Sequence, residues 1–108
     1  FAKTFPKIIR EIRAVNPDVK IYADNIYNPA KGIDAFSQVY SVADAYINRM
    51  NRGFYPSDEY VLVDIKKCFD GEKESMVNLS FKGREIDPHP SEKGHKKIAQ
   101  MVIKAMER

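Results

Sequence analysis

Two prolines set one residue apart restrict this chain more tightly than any other feature: Asp87-Pro88-His89-Pro90. A residue that precedes proline is pushed out of the α region into extended backbone. Asp87 and His89 both precede prolines, and Pro88 between them has its own φ fixed. The segment is therefore a short, stiff, extended tetrapeptide. In extended chain, residues two apart point to the same side, so Asp87 and His89 project together. A carboxylate held beside an imidazole fixes its tautomer and stabilises its protonated form. Ser91 follows as a good N-cap. Ile98, Ala99, Val102 and Met106 then recur at helical spacing, which predicts a helix that packs on a core and anchors the Asp-His segment at its N-terminus.

The rest of the chain reads as one α/β unit. At 108 residues there is room for one core at most. The net charge of +3 is spread along the chain, with no dense Lys/Arg run and no aromatic-basic interleaving, so nothing marks a nucleic-acid surface. The single cysteine, Cys68, excludes an internal disulfide and reads as a small apolar residue. No run of about 18 apolar residues could cross a membrane. The chain starts at Phe1 without a methionine, and the expectation is a piece of a longer protein.

Ile8, Ile9, Ile12 and Val15 form an apolar stripe that predicts a helix from Thr4 to Val15, capped by Thr4. Asn16-Pro17-Asp18 ends it. Alternation from Val19 predicts a strand to about Asn25. Ligands of open α/β sheets bind beyond the carboxyl ends of the strands, so Asn25, Tyr27 and Asn28 are candidates for lining a substrate pocket. The other reading of that loop is that its amides satisfy its own backbone. Asp34 is a candidate cap for a helix whose stripe is Phe36, Val39, Tyr40, Ala43, Tyr46, Ile47 and Met50, read as core, with Gly53 as its stop. Tyr60 to Ile65 reads as a buried parallel strand. Lys66 to Ser75 is polar and turn-like apart from Cys68 and Phe69. Val77 to Phe81 reads as a short extended piece, and Gly83 to Ile86 leads into the Asp-His segment.

The run D-P-H-P-S-x-x-G-H-x-x-I-A, from Asp87 to Ala99, resembles the last conserved block of the SGNH hydrolases, the GDSL-type esterases and lipases. The resemblance implies that His89 is the catalytic base and Asp87 the acid, within the C-terminal half of a three-layer, flavodoxin-like α/β domain of bacterial type. The usual block has two residues between the acid and the base, and this chain has one; Glu85 is the alternative acid. A Tyr-Asn-Pro turn after a strand, here Tyr27-Asn28-Pro29, is also similar to one secreted or membrane-attached branch of the family. No metal or organic cofactor is implied. The implied substrate is an ester: a lipid, an acetylated sugar or a thioester.

The family's Gly-Asp-Ser and Gly-x-Asn-Asp blocks, which supply nucleophile and oxyanion donors, do not occur in these residues. The expectation is thus the acid-base half of an acyl hydrolase, inactive alone, whose partner is the half that carries the serine, or a second copy of itself. Two other readings stand beside it. One is a metal site built from Asp87, His89 and His95, against which His95 reads as a half-buried residue on the apolar side of the last helix. The other is a non-catalytic α/β binding or interaction domain.

Overall fold

The chain, seen in a computed structural model, is described over residues 1–31, 37–78 and 87–107. Its first helix, α1 (Thr4–Val15), has the bounds expected from periodicity. Its start does not depend on the Thr4 side chain. Lys3 occupies the N-cap position without a side-chain hydrogen bond, and the Phe1 carbonyl accepts from the amides of Thr4 and Phe5. The buried face of α1 is Phe5 and Ile9, while Ile8, Ile12 and Val15 stay exposed. Phe5 lies 5.1 Å from the Tyr60 ring, edge on, and Phe54 and Tyr55 close the aromatic cluster around it. At the far end, the Arg13 guanidinium donates to the carbonyls of Pro17, Val19 and Glu59, tying α1 to both chain segments that enter the sheet.

That sheet, among the described residues, has two parallel strands, β1 (Tyr22–Asp24) and β2 (Val61–Val63), in the register Tyr22 to Val61. Both are shorter than expected, the first from alternation over 19–25 and the second from the apolar run over 60–65. The parallel relation is as expected, but burial is not: Val63 is buried, and Val61 and Leu62 are exposed. Alternate side chains divide between two faces. Ile21 and Ala23 pack with Phe5 and Ile9 of α1. Tyr22 and Val63 pack on the other side with Ile65, Phe69 and Met76. The architecture is therefore α/β, with apolar contacts on both sheet faces.

Ile65 does not extend β2. It opens α3 (Ile65–Asp70), where a turn-like stretch was expected. Asp64 caps this helix, its Oδ1 accepting from the Lys67 amide at 3.0 Å. Ile65 and Phe69, one turn apart, are both buried. On the opposite side Lys66 Nζ lies 2.6 Å from Asp70 and 2.9 Å from Asp44. Burial opposes the charge on Lys66, but hydrogen bonds to Asp70 and Asp44 outweigh it and hold the ammonium above its ordinary range.

Asp44 belongs to α2 (Ser37–Asn51), whose stripe is only partly core. Ile47 is buried, whereas Val39, Tyr46 and Met50 are exposed. The Gly53 amide bonds to the Met50 carbonyl beyond its end. The expected cap Asp34 and the stripe residue Phe36 lie outside the described residues, as do most of the 77–81 piece and all of 83–86.

The last helix, α4 (Glu92–Met106), starts where Ser91 predicts, with Ser91 Oγ accepting from the Gly94 amide at 3.1 Å. Ile98, Met101, Val102 and Ala105 pack against the Val63–Phe69–Met76 cluster. His95 is exposed rather than half-buried, because the buried side of α4 runs through Gly94 instead.

Candidate active site

The loop leaving β1 is bound residue by residue to different parts of the fold. Asn25 donates to Asp64 Oδ1 at 2.7 Å and accepts from the Lys66 amide at 2.9 Å, which joins the carboxyl ends of the two strands. Ile26 exchanges two hydrogen bonds with the Asn51 side chain, both 2.9 Å. Asn28 is 1 % exposed. Its amide donates to the Tyr40 carbonyl and to Asp44, and its Oδ1 accepts from the Ala30 amide. Of the three residues expected near a pocket, Asn25 and Asn28 thus have their amides engaged by the fold.

Tyr27 alone reaches the Asp-His segment. Its ring rests on Phe69, with centroids 5.0 Å apart. Its hydroxyl donates to the Pro88 carbonyl at 2.7 Å. Burial, and secondly the Asp87 charge, push the phenol above its ordinary value, so it remains a donor at neutral pH. This contact sets Asp87-Pro88-His89 beyond the carboxyl ends of β1 and β2, where α/β folds bind ligands.

The proline geometry produces the expected pair. Asp87 Oδ1 lies 2.6 Å from His89 Nδ1 and accepts from the His89 amide at 3.0 Å. The His89 backbone N–H, then its ring, hold the Asp87 carboxyl below its ordinary value. Asp87 is thus ionised at neutral pH and can only accept. Nδ1 must therefore carry the proton in this contact, and the neutral ring presents Nε2 as its basic nitrogen. His89 is 80 % exposed, and Nε2 has no partner among the described residues. Three serine hydroxyls, on Ser57, Ser75 and Ser91, accept from nearby backbone amides.

The backbone and ring contributions of His89 to the Asp87 shift can be separated. In His89→Ala the backbone N–H remains and the ring is lost. An Asp87 carboxyl titration followed by carbon NMR should have its midpoint below the ordinary 3.8 in the parent chain. The variant should move that midpoint upward without restoring it fully. A complete return to the ordinary value would assign the whole effect to the ring. The sign is that of a depressed carboxyl: the turn is stabilised above the ordinary value, and this contribution disappears as pH falls through the lowered one.

The supporting segment on the other side of the pair is residues 76–78, which includes the described start of the piece expected to be extended from Val77; its pairing with the Asp-His segment was not expected. Val77 forms an antiparallel bridge with Pro90, the Asn78 amide donates to the His89 carbonyl at 2.9 Å, and the Ser91 amide donates to the Met76 carbonyl at 2.9 Å. Gly94 makes this approach possible, since a Cβ there would overlap the Met76 carbonyl oxygen. Glu85, the alternative acid, lies outside the described residues. Among the described residues no three His, Cys, Asp or Glu side chains come together to hold a metal ion. No family model, no curated protein and no solved structure matches this chain.

Proposed function

We propose that this chain supplies the acid and base of an SGNH/GDSL-type acyl-ester hydrolase, as the C-terminal half of a three-layer, flavodoxin-like domain. The observation that carries the reading is the 2.6 Å contact between Asp87 Oδ1 and His89 Nδ1, in a turn fixed by two prolines and with Nε2 facing solvent. A serine from the half with the Gly-Asp-Ser block would approach Nε2. His89 then takes the serine proton during attack on the ester carbonyl and returns it to the leaving alcohol. Asp87 stays ionised, orients the ring and stabilises the imidazolium. Oxyanion donors come from the same serine-bearing half.

The chain alone should hydrolyse p-nitrophenyl acetate no faster than free imidazole, because an unassisted base lacks a positioned nucleophile. Co-expressed with a half that carries the two missing blocks, it should gain hydrolysis that a fluorophosphonate abolishes. Ester hydrolysis by the 108-residue chain alone would defeat the assignment of an external serine. In the reconstituted protein Asp87→Asn should lower turnover by up to about 10⁴-fold, through loss of the productive tautomer, with little change in binding. If Glu85→Gln does this instead, the acid lies there.

A second reading, a non-catalytic interaction domain, is favoured by the exposed Val39, Val42, Tyr46 and Met50 on α2. It predicts no His89-dependent hydrolysis in any reconstituted form.

A further inference from the structure

Prolines at 88 and 90 leave the Asp87–Pro90 segment with two backbone donors, the amides of Asp87 and His89. The His89 amide is turned inward onto Asp87 Oδ1. The segment must therefore be held through its carbonyls, and three in succession are taken. Pro88 O accepts from the Tyr27 hydroxyl at 2.7 Å, His89 O from the Asn78 amide at 2.9 Å, and Pro90 O from Asn78 Nδ2 at 3.2 Å. The donors come from separately anchored places. Tyr27 stands on the buried Phe69 ring, and Asn78 continues from the buried Met76 and Val77. The Asn78 side chain also contributes to the lowered Asp87 value.

We propose that Asn78 and Tyr27 are positioning residues that clamp the backbone on either side of His89 and so hold its ring in register with Asp87. The clamp itself is a property of this chain; its consequence for turnover rests on the reading of His89 as a base. The reason it is needed is exposure. Water competes freely for both members of the pair, and a short Asp-His contact in the open survives only where the backbone beneath it is fixed. Neither residue touches the proton that moves, and each acts through His89.

The test reads the tautomer of His89 in the 108-residue chain itself. Ring nitrogen shifts, measured at about pH 9 where an ordinary imidazole is neutral, give the ratio of Nδ1–H to Nε2–H forms. In Asn78→Ala, which removes the Nδ2 bond to the Pro90 carbonyl and leaves the amide bond to the His89 carbonyl, and in Tyr27→Phe, that ratio should fall about fivefold, the net worth of one intramolecular hydrogen bond. His95, exposed on α4, is the internal control and should keep its ratio. Tyr27→Phe retains the ring on Phe69, so one of the two variants is expected to keep its thermal midpoint even if the other unfolds. In the reconstituted protein the same substitutions should lower kcat by a similar factor and leave KM unchanged. A folded variant pair with an unaltered His89 ratio overturns the proposal. A shifted ratio, combined with hydrolysis that is indifferent to His89→Ala, upholds the clamp and defeats the hydrolase reading instead.

Discussion

Replacing His89 by alanine should reduce ester hydrolysis by the reconstituted protein to the level that binding and an oxyanion hole sustain by themselves. Loss of a triad member typically leaves ~10³–10⁴-fold acceleration over water. The fold should be unaffected. The His89 ring is 80 % exposed, and the contacts that hold residue 89 in place, from its carbonyl to Asn78 and from its amide to Asp87, are made by the backbone. A surface substitution of this kind changes stability by about 0.5 kcal/mol or less. Turnover of p-nitrophenyl acetate and the thermal midpoint together decide the matter. Near-normal turnover would end the assignment of His89 as base. Loss of turnover together with a fall of many degrees would make His89 a structural residue.

The Asp87–His89 pair was legible because local covalent geometry determines it. Prolines at 88 and 90 act within two residues of the side chains they orient, so the pairing can be read locally even though Tyr27 and Asn78 hold it in register. The Ser91 start of α4 and the limits of α1 were legible for a similar reason, since capping and periodicity are local signals. Where a signal was ambiguous the reading failed. Ile65 follows Tyr60-Val61-Leu62-Val63-Asp64 and prolongs an apolar, β-branched run, so it reads as strand. The cue to α3 was Asp64 as a cap, with Ile65 and Phe69 four apart and Gly71 beyond. In a helix of six residues that cue is short.

Phase errors account for other differences. The apolar side of α4 was read as Ile98, Ala99, Val102 and Met106 with His95 beside them; Ile98 and Val102 pack on the core, while Ala99, Met106 and His95 are exposed. In the fold Gly94 is the point of closest approach, set by the Met76 carbonyl, and the buried side turns toward it. On α2 and β2, hydrophobic residues read as core are partly exposed: Val39, Tyr46, Met50, Val61 and Leu62. Composition records which residues favour burial but does not say whether a second surface meets them. Asn78 was invisible for a deeper reason. Its principal contact is a backbone amide, which every non-proline residue possesses.

Phe69→Ala should be the most destabilising of these substitutions, and it links the core to the Asp-His turn. Phe69 is 2 % exposed, in the cluster with Val63, Ile65 and Met76 that Ile98, Met101 and Val102 of α4 cover. Removing a buried phenylalanine ring costs about 3–5 kcal/mol, from lost transfer energy and from the cavity left behind. Domains have roughly 5–15 kcal/mol of stability in total, so the urea midpoint should fall by about a fifth or more. The position of the ring adds a second effect. Tyr27 lies across it at 5.0 Å; without that support the tyrosine can settle into the cavity and withdraw its hydroxyl from Pro88. Phe69→Leu fills most of the space and should retain most of the stability, by analogy with other apolar exchanges of modest volume change. Urea unfolding gives the stability of each variant, and the amide shift of His89 reports on the turn. A cost below about 1 kcal/mol for Phe69→Ala would mean that the site is not a sealed core. A full cost with an unmoved His89 amide would mean that Tyr27 keeps its place without the ring beneath it.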